Sequence, residues 1–455
     1  MAGRDFAYEP VPSDTFVKLR LDLLSACRLG LCYLGTFALI LTCIIIASFA
    51  PAMFRTHQGD IYQCSHLPPY KHEDCFGETA GLALTPTWIG TLRGVGPMSQ
   101  FFVISADIYG GPELNSSSVD FDLSLTVSLQ AQISAAESKE ILAAKPLSFP
   151  VTCSADKRLC SSVFLGYEPY VEYRTYDVMI SLTNWGRIER WVEEIEIKVR
   201  SVAPNFSLYQ LRVKSVFLLA AVVSAVVYLC QLCKAKVQRW SSETRCLFLL
   251  SLSLVVFNDP FYFYSLYHPH YLITAASVLC VVQFLCVLAY FWALVLMEVN
   301  TQAWHSKCKG VLGLGLAVMG GSLAAVYVYS AVLMRNDPSY RLADFPTAIW
   351  VLSLVSVAMM GTYLIFLAVL TVKALPVLGQ RTVRQRFLCV INFIMAVFAG
   401  VCMATGLFQR LPSLGSFVLI VISTFNLYVF LLQALLVPTS SRLTSQSDIE
   451  LSESK

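Results

Sequence analysis

The sequence predicts a polytopic α-helical membrane protein in which one signal-anchor helix and a bundle of seven further helices are separated by an inserted all-β sandwich. Three observations carry that reading. Hydrophobic residues make up 56% of the chain and charged ones 14%, with a mean hydropathy of +0.62, whereas soluble domains carry roughly 25% charged residues. Eight apolar runs are long enough to cross a bilayer, and they fall as one run, a wide gap and then seven. Within the gap the hydrophobic period changes from that of a helix to that of a strand.

Residues 1–28 form a polar tail in which Arg4, Lys18, Arg20 and Arg28 are balanced by Asp5, Glu9, Asp14 and Asp22. Tyr8-Glu9-Pro10-Val11 fits a tyrosine-plus-bulky-apolar endocytic signal, a pattern short enough to arise by chance. The first apolar run, Leu29 to Phe49, is longer than the roughly 7 to 15 residues of a signal-peptide core. Pro51 follows the small residue Ala50, so 29–50 reads as an uncleaved signal anchor.

The segment 51–212 carries strand signals. Phe121, Leu123, Leu125, Val127 and Leu129 alternate with Asp122, Ser124, Thr126 and Ser128, and Ile195, Ile197 and Val199 alternate with Glu194, Glu196, Lys198 and Arg200. Period two marks half-buried antiparallel strands. Further strands are expected over 100–108, 147–153, 161–165 and 170–182, with Gly110-Gly111-Pro112 as a turn, giving a sandwich of six or seven strands. Four cysteines, Cys64, Cys75, Cys153 and Cys160, predict two disulfides in an oxidising compartment, and their spacing leaves three connectivities open. Short-range pairing is the simplest. Cys153 and Cys160 bracket the polar turn 154–159 as a closed hairpin would, and so small a loop stabilises by about 2 to 3 kcal/mol. Cys64 would then pair with Cys75. Asn115-Ser116-Ser117 is a glycosylation sequon in a loop, and Asn205-Phe206-Ser207 is a second one close to the membrane.

The seven later runs, 213–233, 246–267, 271–297, 310–333, 346–372, 387–408 and 414–437, define a helical domain over 213–437. Lys234, Lys236, Arg239 and Arg245 follow the first of them, Lys307 and Lys309 the third, and Lys373, Arg381, Arg384 and Arg386 the fifth. By the positive-inside rule those loops are cytosolic, which puts both termini in the cytosol and 51–212 in the lumen or outside the cell. Gly313, Ala317, Gly320, Gly321, Ala324 and Ala325 have the small-xxx-small spacing of a close helix-packing face. The tail 438–455 is Ser/Thr-rich and acidic, reads as phosphorylatable, and with the first tail offers sites for trafficking adaptors.

Asn258-Asp259-Pro260 interrupts the apolar run 246–267 with a carboxylate and a helix breaker. Asp259 lies about 20 Å from the cytosolic end of that run at about 1.5 Å per residue, where a charge costs at least about 3 kcal/mol unless it faces protein or water. Gln283 and Asn426 fall at a similar depth. With no Lys or Arg expected at that level, Asp259 is expected to be protonated, wetted, or hydrogen-bonded to Asn258, Gln283, Asn426 or Tyr428. Two readings stand: a structural kink held by its neighbours, or a cavity open to lumen or lipid.

These features together resemble the Wntless-like family of seven-helix proteins with a Golgi-dynamics (GOLD-like) domain, which includes the transmembrane protein 181 group. The resemblance covers about residues 100–437. It rests on Cys153 and Cys160 followed by Leu165-Gly166-Tyr167, on Asn258-Asp259-Pro260-Phe261, on Asp337-Pro338-Ser339-Tyr340-Arg341 with Asp344-Phe345, and on Phe425-Asn426-Leu427-Tyr428. It implies a GPCR-like bundle bearing a lumenal domain and cycling among Golgi, endosomes and plasma membrane. In that family Wntless carries lipid-modified Wnt; Wnt binding is not carried over to this chain.

The expected function is that of a non-enzymatic cargo receptor for a secreted or lipid-modified protein, in contact with membrane lipids and without a cofactor. An orphan seven-helix signalling receptor is the second reading, although the fourth span ends Met297-Glu298-Val299-Asn300 and the last lacks Asn-Pro-x-x-Tyr. A transporter or enzyme is the third. No nucleophile elbow, His-Glu-x-x-His, phosphate loop or second intramembrane carboxylate accompanies Asp259, and no basic stretch interleaved with aromatics points to nucleic acid.

Overall fold

The computed structural model describes residues 21, 26–62, 87–111, 118–133, 137–154, 159–169, 171–188, 191–234, 241–268, 270–300, 306–336, 346–379, 382–407 and 414–437. The Tyr8 motif, Cys64 and Cys75, the Asn115 sequon, the loop from Asp337 to Phe345 and the tail from 438 lie outside these residues.

The inserted domain is a sandwich of two four-stranded antiparallel sheets. One has the order β1 (Phe54–Tyr62), β8 (Val192–Val202), β3 (Phe102–Gly110), β6 (Leu159–Glu168); the other runs β2 (Thr87–Arg93), β7 (Thr175–Leu182), β4 (Val119–Gln132), β5 (Ser138–Cys153). Alternation in β4 and β8 does what period two requires: Leu123, Leu125, Val127 and Leu129 bury toward Ile195, Ile197 and Val199, and both faces share a core with Phe102, Ile104 and Tyr176.

Eight strands form among the described residues rather than six or seven; the unexpected ones are β1, polar at Arg55-Thr56-His57-Gln58, and β2, where Gly90 stands between Trp88 and Leu92. Both are held by backbone pairing to a single neighbour, whereas the opposite edge strand β5 buries Leu147, Phe149, Val151 and Cys153 in strict alternation and so shows in the sequence. At the β1–β2 edge the Trp88 indole fills a slot made by Gly59 and Gly90; a Cβ on either would stand 2.3 or 2.2 Å from it.

Cys153 and Cys160 form a disulfide, with Cα atoms 4.2 Å apart. It does not close a hairpin within one sheet as the spacing suggested. Cys153 ends β5 in one sheet and Cys160 begins β6 in the other, so the bond ties the two sheets at the corner opposite Trp88.

Among the described residues eight helices are long and apolar enough to cross a membrane, as the sequence predicts, and the chain is a multi-pass membrane protein. They are α1 (Ala26–Ser48), α3 (Pro204–Lys234), the broken pair α4 (Ser242–Phe257) and α5 (Tyr262–Tyr267), α6 (Tyr271–Val299), α7 (Ser306–Asn336), α8 (Thr347–Leu378), α9 (Val383–Leu407) and α10 (Leu414–Leu435). A further short helix, α2 (Trp185–Ile188), belongs to the sandwich. Helices α4 and α10 are the most enclosed and α1 the least. Outward apolar side chains such as Phe37, Leu219 and Val357 give the bundle a lipid-facing surface.

Two features fix how the sandwich sits on the bundle. Strand β8 passes into α3 with only Ala203 between them, and α3 begins at Pro204, well before the apolar run at 213, with proline at its first position. Strand β1 lies beside β8 throughout, from Phe54 opposite Val202 to Tyr62 opposite Glu194, so the chain enters and leaves the sandwich side by side. Ala47, Val202, Phe206 and Leu419 form a small apolar cluster at that joint.

The small residues of α7 divide between two faces rather than sharing one. A Cβ on Gly320 would lie 2.5 Å from Cys286 Sγ and 2.9 Å from Val282, so that glycine is where α6 and α7 touch, with Ala324 buried one turn on. Ala317, Gly321 and Ala325 are exposed. Successive helical residues stand about 100° apart, so Gly320 and Gly321 cannot both face α6.

Candidate functional site

Helix α4 ends where the sequence places its breaker. Pro260 has no N–H to give Val256 one turn back, and the Val256 carbonyl takes the Asp259 N–H at 2.9 Å instead. The residue before a proline is disfavoured in the right-handed helical region; Asp259 has φ +54°, left-handed, which Asp tolerates better than most residues. Its carbonyl then accepts the Tyr262 N–H at 3.0 Å and α5 begins.

Asn258 and Asn426 meet at the break and pair reciprocally. Each side-chain amide donates to the other's oxygen, at 2.8 and 2.9 Å, and gives its second N–H to a carbonyl one turn back in its own helix, Leu254 at 3.0 Å and Ile422 at 2.9 Å. Both are fully enclosed, and Phe257, Phe284 and Phe425 pack beside them with ring centroids 4.4 to 6.1 Å apart. The arrangement satisfies all four amide hydrogens where no water competes.

Asp259 does not lack a cation. Lys214 of α3 brings its Nζ to 3.5 Å from Asp259 Oδ2, with the two side chains 15% and 5% exposed. The expectation of an unpaired carboxylate is corrected by this contact: α3 starts early and the break re-aims the backbone at Asp259, so a lysine just inside the apolar run reaches it. The same ammonium sits 3.8 Å from the centroid of the Tyr262 ring, a cation–π contact. Asp259 Oδ1 is buried and has no hydrogen-bond partner among the described residues.

From Tyr262 the polar contacts continue to the sandwich. The Tyr262 hydroxyl donates to Gln210 Oε1 at 2.7 Å and accepts from Gln100 Nε2 at 3.0 Å, and Gln100 also donates to Ser207 Oγ at 2.7 Å. Gln100 follows the short turn Pro97–Ser99 in the sandwich and has φ +53°. Among the described residues, Gln100 and Asp259 are the two non-glycine residues with positive φ, and they stand at opposite ends of one chain, Gln100–Tyr262–Lys214–Asp259. Strained backbone persists where the surroundings over-determine it.

The remaining sequence candidates do not join this cluster. Gln283 is exposed on the outer face of α6, since its neighbour Phe284 is the residue turned into the core. Tyr428 lies two residues past Asn426, about 200° around the helix, and makes a separate knot, accepting from Trp292 Nε1 at 3.1 Å and donating to Asn392 Oδ1 at 2.6 Å. Asn205 is exposed in the first turn of α3, with its sequon hydroxyl Ser207 buried under Gln100. Sequence reading missed Lys214, Gln100, Gln210 and Tyr262. A signal existed for three members of the site: Ser207, Gln210 and Lys214 recur at i, i+3 and i+7, one face of a helix.

Two concavities flank these contacts. One of about 500 Å³ opens where the sandwich meets the bundle, beside Glu172, Tyr264, Tyr267, His268 and His270. The other, about 240 Å³ and mostly apolar, lies between α6, α8 and α9, beside Trp292, Thr371 and Asn392. Among the described residues no group of three or more His, Cys, Asp or Glu side chains is placed to hold a metal ion. What the site offers is a mechanical connection between domains and a closed ion pair.

A family model described as "Wntless-like, transmembrane domain" matches residues 203–440. Human Transmembrane protein 181 is 22% identical over 263 residues, covering 55% of this chain and 52% of that protein. The chain thus spans about half the length of the curated relative it matches.

Proposed function

The chain belongs to the Wntless-like transmembrane family, and from that premise we propose that it is a non-enzymatic membrane trafficking receptor that carries a secreted or lipid-modified protein. The resemblance carried by Asn258-Asp259-Pro260-Phe261 and Phe425-Asn426-Leu427-Tyr428 is thereby borne out. On this reading the sandwich faces the lumen, both termini face the cytosol, and the protein moves among Golgi, endosomes and plasma membrane. Cargo engages the sandwich and the adjoining concavity beside Tyr264 and His268.

The observation that supports a receptor most directly is the chain Gln100–Tyr262–Lys214–Asp259, which joins the sandwich to the break in a central helix. A ligand that moves the Pro97–Ser99 turn thereby acts on the bundle, which is what a carrier needs if binding on one side of the membrane is to be read on the other. A binding module without such a link would need no strained residue at each end.

Quantitative proteomics of medium and cell surface, from cells with and without the protein, tests this. One or a few secreted proteins should fall several-fold and recover with the wild-type chain. Unchanged secretion, together with ligand-stimulated nucleotide exchange on a G protein by the purified receptor, would instead establish the signalling reading. The orientation is checked separately: glycosidase treatment should shift the wild-type chain and leave an Asn115→Gln, Asn205→Gln double variant unmoved.

A further inference from the structure

We propose that the groove between α1, α3 and α10, on the sandwich side of the bundle, holds one resident phospholipid, with an acyl chain in the groove and its phosphate on Arg212. The groove exists because α1 packs on α10 and α10 on α3, while α1 and α3 scarcely meet along their lengths. Its volume is about 320 Å³, and its walls are Ile46 and Ala47 of α1 and Val213, Val216 and Phe217 of α3, over a floor of Leu419. Near the joint the Tyr209 hydroxyl bridges the walls by donating to the Ile46 carbonyl at 3.2 Å. Val216 is 67% exposed beside the groove, so the lining is open to lipid rather than sealed in protein.

Any lipid-facing groove takes up hydrocarbon, since an empty one forfeits dispersion contacts on one side. Arg212 is what makes this groove selective. It lies at the groove, one residue before the apolar run of α3 begins, and so at headgroup depth. Its side chain is exposed and has no ion-pair or hydrogen-bond partner among the described residues. A guanidinium at the edge of hydrocarbon is stabilised by reaching an anionic oxygen, and its planar fork matches a phosphate bidentately. Two residues away Lys214 has its own carboxylate in Asp259 and is turned into the bundle. The adjacent cations on α3 therefore have different partners, one supplied by the protein and one by the membrane.

The test uses the full-length protein in mild detergent with phosphatidylcholine carrying a photoactivatable acyl chain, and diacylglycerol carrying the same chain as the phosphate-free control. Crosslinks from phosphatidylcholine should map to peptides containing Cys43–Ala47, Val213–Phe217 and Leu419–Ser423. Losing a charge-assisted hydrogen bond should lower their yield about tenfold or more, both for diacylglycerol and for Arg212→Ala, with Arg212→Lys between. Val216→Trp, which fills the groove from its exposed wall, should abolish crosslinking there with an unchanged melting temperature. Equal yields from the two lipids, or crosslinks spread evenly over all lipid-facing helices, would mean ordinary annular lipid and overturn the proposal. So would a lipid-modified protein found at these peptides in place of phospholipid. If Arg212→Ala does not fold, the comparison of the two lipids on the wild-type chain decides.

Discussion

At the scale of single residues, the pair Lys214–Asp259 governs what substitutions at the break should do. Removing one member of a buried ion pair leaves the other uncompensated and costs about 3 to 5 kcal/mol, whereas replacing both with neutral groups costs much less. Lys214→Met should therefore lower the melting temperature of the detergent-purified protein sharply, and Lys214→Met with Asp259→Asn should recover most of the loss. If the double variant is as unstable as the single one, the two side chains do not act as a pair. A cluster of three charges lies outside the membrane, where Lys198 contacts Asp107 at 2.6 Å and Glu196 at 2.6 Å. Burial by itself would raise the Asp107 carboxyl, but the hydrogen bond and charge of Lys198, with Ser162 and Arg200, outweigh it and hold the group below its ordinary value. A depressed carboxylate binds fewer protons folded than unfolded, so its contribution is present above the ordinary carboxylate range and is lost as pH falls through the folded value. Asp107→Asn should flatten the acid limb of stability against pH and leave its slope near neutrality unchanged.

Among elements, α6 and α7 offer a matched comparison in adjacent residues. Gly320→Leu must displace Cys286 and Val282, and overpacking of that kind costs about 1 to 3 kcal/mol. Gly321→Leu meets open space and should stay within about 0.5 kcal/mol of wild type. Thermal melting of the two variants side by side checks the division of the small residues between two faces, and equal losses would contradict it. The composition of α7 announced close packing, but six small residues spread over 313–325 could not say which of them carried the contact. Similarly, β4 and β8 were legible because each buries one face in alternation, while β1 and β2 were not, because their polar and glycine positions leave no such pattern and Trp88 is seated by two glycines in different strands.

For the molecule as a whole, the connection through Tyr262 is the feature to break. Tyr262→Phe keeps the ring over Lys214 and removes the hydroxyl that joins Gln100 to Gln210, a loss of about 0.5 to 1.5 kcal/mol. Hydrogen exchange should rise together at Pro97–Phe101 and at Asn258–Leu266, with the sandwich core around β4 and β8 unaffected. A rise confined to one of the two segments would mean that the domains are held by the apolar joint at Phe206 alone. Composition and hydrophobic period determined by themselves that the chain is a multi-pass membrane protein with eight apolar segments long enough to span, carries a β-sandwich after the first of them, and breaks the third at Pro260, because each of these follows from local pattern and the chemistry of single residues. Tertiary structure alone decided that Cys153 and Cys160 join two sheets, that Gln283 faces outward, and that Asp259 has Lys214 as its partner. A partner is set by where two helices stop, turn and lean, and the helices that place Lys214 beside Asp259 are separated in the chain and brought together only by packing.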